Sequence, residues 1–284
     1  MKNGWKYLIV IVLVFCTTGL LFAQGKDSDA PWFFIQLTDP QFGMFEKNEG
    51  FEKETTLYEK TVVSINQLKP YFVVITGDFV HNQNSEEQIA EFKRITSKIN
   101  PDIPVYYIPG NHDIGQIPDK ESLKKYEKNY GSDKFSFKHK GISFIGFNTS
   151  FIKAKQSKQE EKQFKWLTKK LKQSKDANSI ILFCHYPFFN KTIDEPEAYS
   201  NIGIEYREKY LQLFEQYGVD AIFNGHHHNI GLASYGNIQL VTTSALGKPL
   251  GEAPSGFRIV TINREGFEHQ YFGLKELPES VDFK

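Results

Sequence analysis

The chain has 284 residues, 40% of them apolar, with 34 basic side chains against 34 acidic ones. That balance, without a basic stripe interleaved with aromatics, speaks against a nucleic-acid surface. The length suits one sizeable domain, and the two cysteines cannot form an internal disulfide if the first of them, Cys16, is removed with a leader.

Lys2 and Lys6 precede an apolar run from Tyr7 to Phe22, followed by Ala23-Gln24-Gly25. A basic start, an apolar stretch and a small residue before a polar segment predict a secretory signal peptide over residues 1–24. The alternative is an uncleaved membrane anchor, for which this run lies at the short limit. Either way the rest of the chain is expected to be exported, periplasmic or secreted. A single domain is expected over residues 30–275, with a tail over 276–284.

Short apolar runs rich in β-branched and aromatic residues predict buried strands at 34–37, 72–75, 105–108, 180–183 and 221–223. Between the first two, Leu57, Thr61, Ile65 and Leu68 mark one helical face. Ser85-Glu86-Glu87-Gln88 has capping-box form and predicts a second helix running through Ile89, Phe92 and Ile99. The resulting βαβαβ order implies a parallel core. Residues 135–139 and 142–147 predict a hairpin around Lys140-Gly141. Ser157 to Glu160 reads as the cap of a helix with Phe164, Leu167 and Leu171 on its apolar side. Tyr206, Tyr210, Leu213 and Tyr217 mark one more helix, and residues 238–243, 257–262 and 267–272 close the chain as strands.

The residues at the carboxyl ends of the five buried strands are more informative. The first strand runs into Asp39-Pro40-Gln41, the second into Gly77-Asp78, and the third into Pro109-Gly110-Asn111-His112-Asp113. The fourth runs into Cys184-His185, and the fifth into Gly225-His226-His227-His228. Asn and Asp are ordinary turn formers, which accounts for one or two such ends. Five oxygen or nitrogen donors at equivalent strand ends read as a metal site assembled across a sheet, where α/β folds gather their ligands.

In that order these blocks resemble the calcineurin-like metallophosphoesterase superfamily, over nearly the whole chain after residue 30. Asp39-Pro40-Gln41-Phe42-Gly43, with Thr242 to Gly247 and Pro249-Leu250-Gly251, is similar to the branch called complete serine/threonine-protein phosphatases. One block departs from the family pattern: Gln41 stands where a second ligand histidine is usual. The resemblance implies an α/β fold, a four-layer αββα sandwich of two mixed sheets. It also implies two divalent metal ions: Asp78 bridging, Asp39 and His228 with Gln41 beside them on the first, and Asn111, His185 and His226 on the second. Mixed oxygen and nitrogen donors suit Mn, Mg, Fe or Zn. A metal-bound hydroxide would attack phosphorus, with His112 as general acid and Asp113 expected to hydrogen-bond its ring.

Gln41 either ligates its ion or lines the pocket, and His81 is either a support of the site or a plain loop residue. His227 is expected at the rim or just behind the ligands. Residues 190–203, carrying Asp194-Glu195-Pro196-Glu197, read as a lid whose acidic groups face away from an anionic substrate; residues 244–251 are a second flexible candidate. The expected activity is hydrolysis of a phosphorylated substrate, as a phosphomonoesterase with protein phosphoserine and phosphothreonine among its substrates. A phosphodiesterase or nucleotide pyrophosphatase on the same site, and a non-catalytic metal-binding scaffold, are the alternatives.

Overall fold

A computed structural model describes residues 30–283 of the chain. The leader expected over residues 1–24 lies outside the described residues, and among these no helix is long and apolar enough to cross a membrane. In chain order the elements are β1 (Trp32–Leu37), α1 (Glu52–Leu68), β2 (Val73–Thr76), α2 (Glu86–Thr96), β3 (Val105–Ile108), α3 (Asn111–Ile114), α4 (Lys120–Tyr130), β4 (Phe135–His139) and β5 (Ile142–Gly146). They continue with α5 (Ser150–Lys153), α6 (Ser157–Gln173), β6 (Ser179–Phe183), α7 (Ile204–Gln216), β7 (Ala221–Asn224), β8 (Gly231–Tyr235), β9 (Ile238–Thr242), β10 (Gly256–Asn263) and β11 (Gly266–Gly273).

Among the described residues two mixed sheets form, one in the order β11-β10-β1-β2-β3 and the other β4-β5-β6-β7-β9-β8. β1, β2 and β3 run parallel, as do β5, β6, β7 and β9. Strand alternation explains the layering. On β1, Phe33, Ile35 and Leu37 face one core with Val62 and Ile65 of α1 and Phe92 of α2. Trp32 and Phe34 face the other way, against Phe144 of β5, Phe183 of β6 and Phe223 of β7. On β6 the pattern repeats, with Ile180 and Leu182 packed on Leu167 and Leu171 of α6 and Phe214 of α7. The three cores are the three interfaces of an αββα sandwich, as the resemblance implies.

The middle interface is almost wholly aromatic and aliphatic. Phe34 stacks on Phe72 at 4.8 Å and meets Phe144 and Phe183 edge-on. Each such side chain removed from water is worth roughly 1.5–3 kcal/mol, so this layer fixes how the two sheets face each other. The chain's end joins the first core, where Leu277 and Val281 pack.

Local details depart from expectation. Ser85 does cap α2, accepting from Gln88 N at 3.3 Å, but the helix ends at Thr96 rather than Ile99. Ser157 does not cap α6: the preceding Gln156 holds that position without a side-chain bond. Glu160 is buried instead, accepting from Lys209 Nζ (2.7 Å) and Tyr210 OH (2.8 Å) on α7. Four elements had no counterpart in the reading of the sequence, the one-turn helices α3 and α5 and the longer α4 and β8. α4 buries only Tyr126, and β8 alternates half-buried with exposed residues at the edge of its sheet.

Candidate metal centre

The parallel strands bring the two donor sets to one place. Asp39, Asp78 and Asn111 follow β1, β2 and β3 of one sheet; His185, His226 and His228 follow β6 and β7 of the other. All six are buried. The turns are unusually tight, because Asp39, Gln41, Asp78, His226 and His228 all have left-handed backbone, with φ between 41° and 65°. Such conformations cost of order 1–3 kcal/mol each and persist where the surroundings over-determine them. Gly77 (φ +92°) and Gly225 make the approach possible. A Cβ on Gly77 would meet His185 Nδ1 at 2.6 Å, and one on Gly225 would meet Asp39 Oδ2 at 2.6 Å.

Hydrogen bonds to backbone carbonyls fix each imidazole, since a carbonyl only accepts. His185 Nδ1 donates to Thr76 O (2.8 Å) and His226 Nε2 to Tyr199 O (3.2 Å). The nitrogens left over, His185 Nε2 and His226 Nδ1, face each other at 3.1 Å. His185 Nε2 also faces Asn111 Oδ1 at 3.2 Å and Asp78 Oδ2 at 3.3 Å. Four lone pairs therefore converge, an arrangement that only a proton or a cation can satisfy. The same holds beside it: His228 Nδ1 donates to Lys248 O (2.7 Å), and its Nε2 faces Asp39 Oδ1 at 3.2 Å. Asp39 Oδ1 and Gln41 Oε1 are buried without a hydrogen-bond partner.

The carboxylates and imidazoles form two groups able to hold a metal ion, Asp78 with His185 and His226, and Asp39 with Asp78 and His228. Asp78 belongs to both. Buried polar atoms without partners, neutral-imidazole nitrogens turned inward and a shared carboxylate fit a pair of divalent cations. The electrostatics show the same demand for positive charge at this spot. Burial works to lower the His185 pKa, but Asp78 outweighs it and lifts the ring to about 9. Burial and then the His185 charge push His226 down to about 3. Burial works to raise Asp39 and Asp78, yet His228 lowers the first, and His185 and His112 lower the second.

His112 sits next to this centre on α3. Its backbone N–H donates to Asp78 Oδ1 (2.8 Å), and its ring Nδ1 donates to His81 O (2.8 Å), which leaves Nε2 for the site. The ring stacks on that of His81 at 4.8 Å. His81 Nδ1 in turn lies 3.3 Å from Gln41 Nε2, so His81 supports both Gln41 and His112. The expected bond from Asp113 to the His112 ring is not made. Asp113 instead accepts from Phe79 N and Gly110 N, both at 2.8 Å, and so ties the β2 turn to the β3 turn. Adjacent residues on a helical turn point apart, which is why Asp113 misses its neighbour. His227 stands half-buried between His226 and His228.

Residues 190–203 do overhang the centre, as a strap held by many bonds. Glu195 accepts from Asn190 N and Lys191 N (both 2.8 Å) and from Asn201 Nδ2 (2.6 Å). The buried Arg207 guanidinium donates to the carbonyls of Ile202 (2.8 Å), Ile193 (2.8 Å) and Glu195 (2.5 Å). Glu197 pairs with Lys155 at 3.1 Å. Glu195 is thus spent on the strap, and Glu197 on Lys155 and, at 3.6 Å, on Lys153 of α5. Residues 244–251 are likewise bound to the ligand turns, with Leu246 N on Thr38 O (2.9 Å), Gly247 N on Asp39 O (3.0 Å) and Leu250 N on His228 O (2.9 Å). What the sequence did not single out is Tyr199 on the strap and its partner Gln116.

The family model described as calcineurin-like phosphoesterase matches residues 34–229. The chain belongs to the calcineurin-like phosphoesterase family. Serine/threonine-protein phosphatase CPPED1 of Bos taurus is 33% identical, over 91% of this chain and 89% of that protein. A probable glycerophosphodiester phosphodiesterase, GpdQ of Arcobacter nitrofigilis, is 29% identical over 65% of this chain and 67% of its own. A solved dimetal phosphatase from Danio rerio superposes with a TM-score of 0.64 at 14% identity, over 86% of this chain and 97% of the other. With the two metal-holding groups, these place the chain among the dimetal phosphoesterases, hydrolases of phosphate esters.

Proposed function

We propose that the chain is a phosphomonoesterase, with phosphoserine and phosphothreonine of proteins as its substrate class. The observation that carries the proposal is the sharing of Asp78 between two adjacent metal-holding groups, with the His112 ring beside it. Asp39, Gln41, Asp78 and His228 would hold one divalent ion, and Asp78, Asn111, His185 and His226 the other. When bound, the ions supply Lewis-acid polarisation of the phosphoryl group and of the attacking water. His112 gives a proton from Nε2 to the leaving oxygen, its ring fixed by the His81 carbonyl. Asp113 acts at one remove, keeping Asp78 and Asn111 in register.

The substrate class is supported by the 33% likeness to the Bos taurus phosphatase over nearly the whole length of both chains. The likeness to a glycerophosphodiester phosphodiesterase supports a second reading, a diesterase on the same centre. The metal-loaded protein is expected to turn over p-nitrophenyl phosphate and a phosphothreonine peptide faster than bis-p-nitrophenyl phosphate. The reverse order would transfer the assignment to the diesterase reading, and turnover of neither ester would reject both.

Gln41 sets the choice of metal. Its amide nitrogen is directed to His81, and its oxygen is buried without a partner. An amide oxygen is a harder and weaker ligand than imidazole. The Asp39 side should therefore bind its ion less tightly than the His185 side and favour Mn or Mg over Fe or Zn. Activity as purified should rise on adding Mn²⁺ or Mg²⁺. Gln41→His should tighten the weaker site by about tenfold or more, on the scale at which ligand-shell changes alter metal affinity. Two equally tight sites in a calorimetric titration, unchanged by the substitution, would refute this.

A further inference from the structure

The strap between β6 and α7 carries a hydroxyl group over the centre. Tyr199 OH accepts hydrogen bonds from Asn111 Nδ2 and from Gln116 Nε2, each at 3.2 Å. Its backbone oxygen accepts from His226 Nε2 at 3.2 Å, and its ring lies 4.9 Å from the His226 ring. The donor directions have causes. Asn111 Oδ1 faces His185 Nε2, which turns the amide nitrogen towards the phenol. Gln116 Oε1 accepts from Tyr186 OH at 3.5 Å, which turns its nitrogen the same way.

A phenol is both donor and acceptor, and it keeps its proton at neutral pH. Both bonds to Tyr199 run into the oxygen, so its own proton points elsewhere. The residue is 59% exposed, so an incoming molecule can reach it. The backbone that carries it is held rigidly. Arg207 and Glu195 brace the strap, and Lys153 Nζ donates to Asn201 O (2.8 Å) and to Ala198 O, the neighbour of Tyr199. A donor held in advance costs little ordering when it is used.

We propose that the Tyr199 hydroxyl donates a hydrogen bond to a non-bridging oxygen of the phosphoryl group, on the side of the centre formed by Asn111, His185 and His226. This rests on the phosphoesterase reading above. Inorganic phosphate and the phosphate monoester share the chemistry, so each serves as a probe.

Tyr199→Phe removes the hydroxyl and keeps both the ring over His226 and the backbone carbonyl. Calorimetric titration of the Mn²⁺-loaded protein with inorganic phosphate should show binding weakened about ten- to hundredfold, the worth of one hydrogen bond to a charged group. kcat/KM for p-nitrophenyl phosphate should fall by a similar factor. Metal content and melting temperature should match the unaltered protein. Unchanged phosphate affinity overturns the proposal. So does a variant that loses metal and regains normal phosphate affinity with excess Mn²⁺, since Tyr199 would then only orient Asn111. If the unaltered, metal-loaded protein neither binds phosphate nor cleaves the ester, the phosphoesterase reading and this proposal fail together. Normal behaviour in the unaltered protein with an unaffected variant rejects Tyr199 alone.

Discussion

Asp78→Asn is expected to strip both ions from the centre and to abolish turnover. Asp78 is the residue common to the two metal-holding groups. Of its two oxygens, Oδ1 accepts from His112 N (2.8 Å) and Oδ2 faces His185 Nε2 (3.3 Å). Asparagine is isosteric and tolerates the left-handed backbone at this position (φ 52°) as readily as aspartate does. The fold should therefore survive, which separates the effect from a loss of structure. What is lost is a negative charge that two cations would share. Loss of a neighbour that merely orients a ligand weakens metal binding by about 10–100-fold; loss of the shared ligand should exceed that at both positions. Several kcal/mol of transition-state stabilisation disappear with the ions, or roughly 10³-fold or more in kcat. Elemental analysis after gel filtration checks the first half and steady-state kinetics the second. Two ions per chain in the variant would end the bridging assignment.

The parts of this centre that could be read from the sequence are those that the buried strands impose. A strand covered on both faces is a continuous apolar run, and the polar turn that follows it lies at the sheet's edge. Phe72 to Ile75 before Asp78, and Ile180 to Phe183 before His185, gave their ligands away for this reason. Position across sheets is different. That Asp78 from one sheet meets His185 from the other depends on how Phe34, Phe144, Phe183 and Phe223 pack between the sheets, and no local pattern encodes it; the order of the motif blocks stood in for it. Asp113 shows the opposite failure. Adjacency in sequence suggested a partner for His112, while the helical turn of α3 directs the carboxylate to the amides of Phe79 and Gly110. Tyr199 carried no signal at all, being one aromatic residue in a polar loop. Its position follows from Arg207, whose fully buried guanidinium is satisfied by carbonyls of the strap rather than by an acid. α4 was missed although Leu123, Tyr126 and Tyr130 keep helical spacing, because the stripe is three residues wide in a lysine-rich segment and only Tyr126 is fully buried.

His112→Ala should leave both ions in place while slowing the reaction, and the loss should depend on the leaving group. The ring contributes no atom to either metal-holding group. It is fixed through Nδ1 to the His81 carbonyl and by stacking on the His81 ring. Its chemical contribution is the proton that Nε2 delivers to the departing oxygen, and general acid help of this kind is worth roughly 10²–10⁴-fold. An alkyl alcohol such as the serine side chain leaves poorly without that proton, so a phosphoserine peptide should lose most of this factor in kcat. p-Nitrophenolate leaves without protonation, so p-nitrophenyl phosphate should lose far less. A purely structural role for His112 would slow both substrates alike, and a ligand role would lower the metal content. Three measurements therefore decide the matter: metal per chain, kcat on the peptide, and kcat on the aryl ester. An equal loss on both esters, with both ions retained, would remove His112 from the proton-transfer step and leave the leaving group to be protonated by another residue or by water.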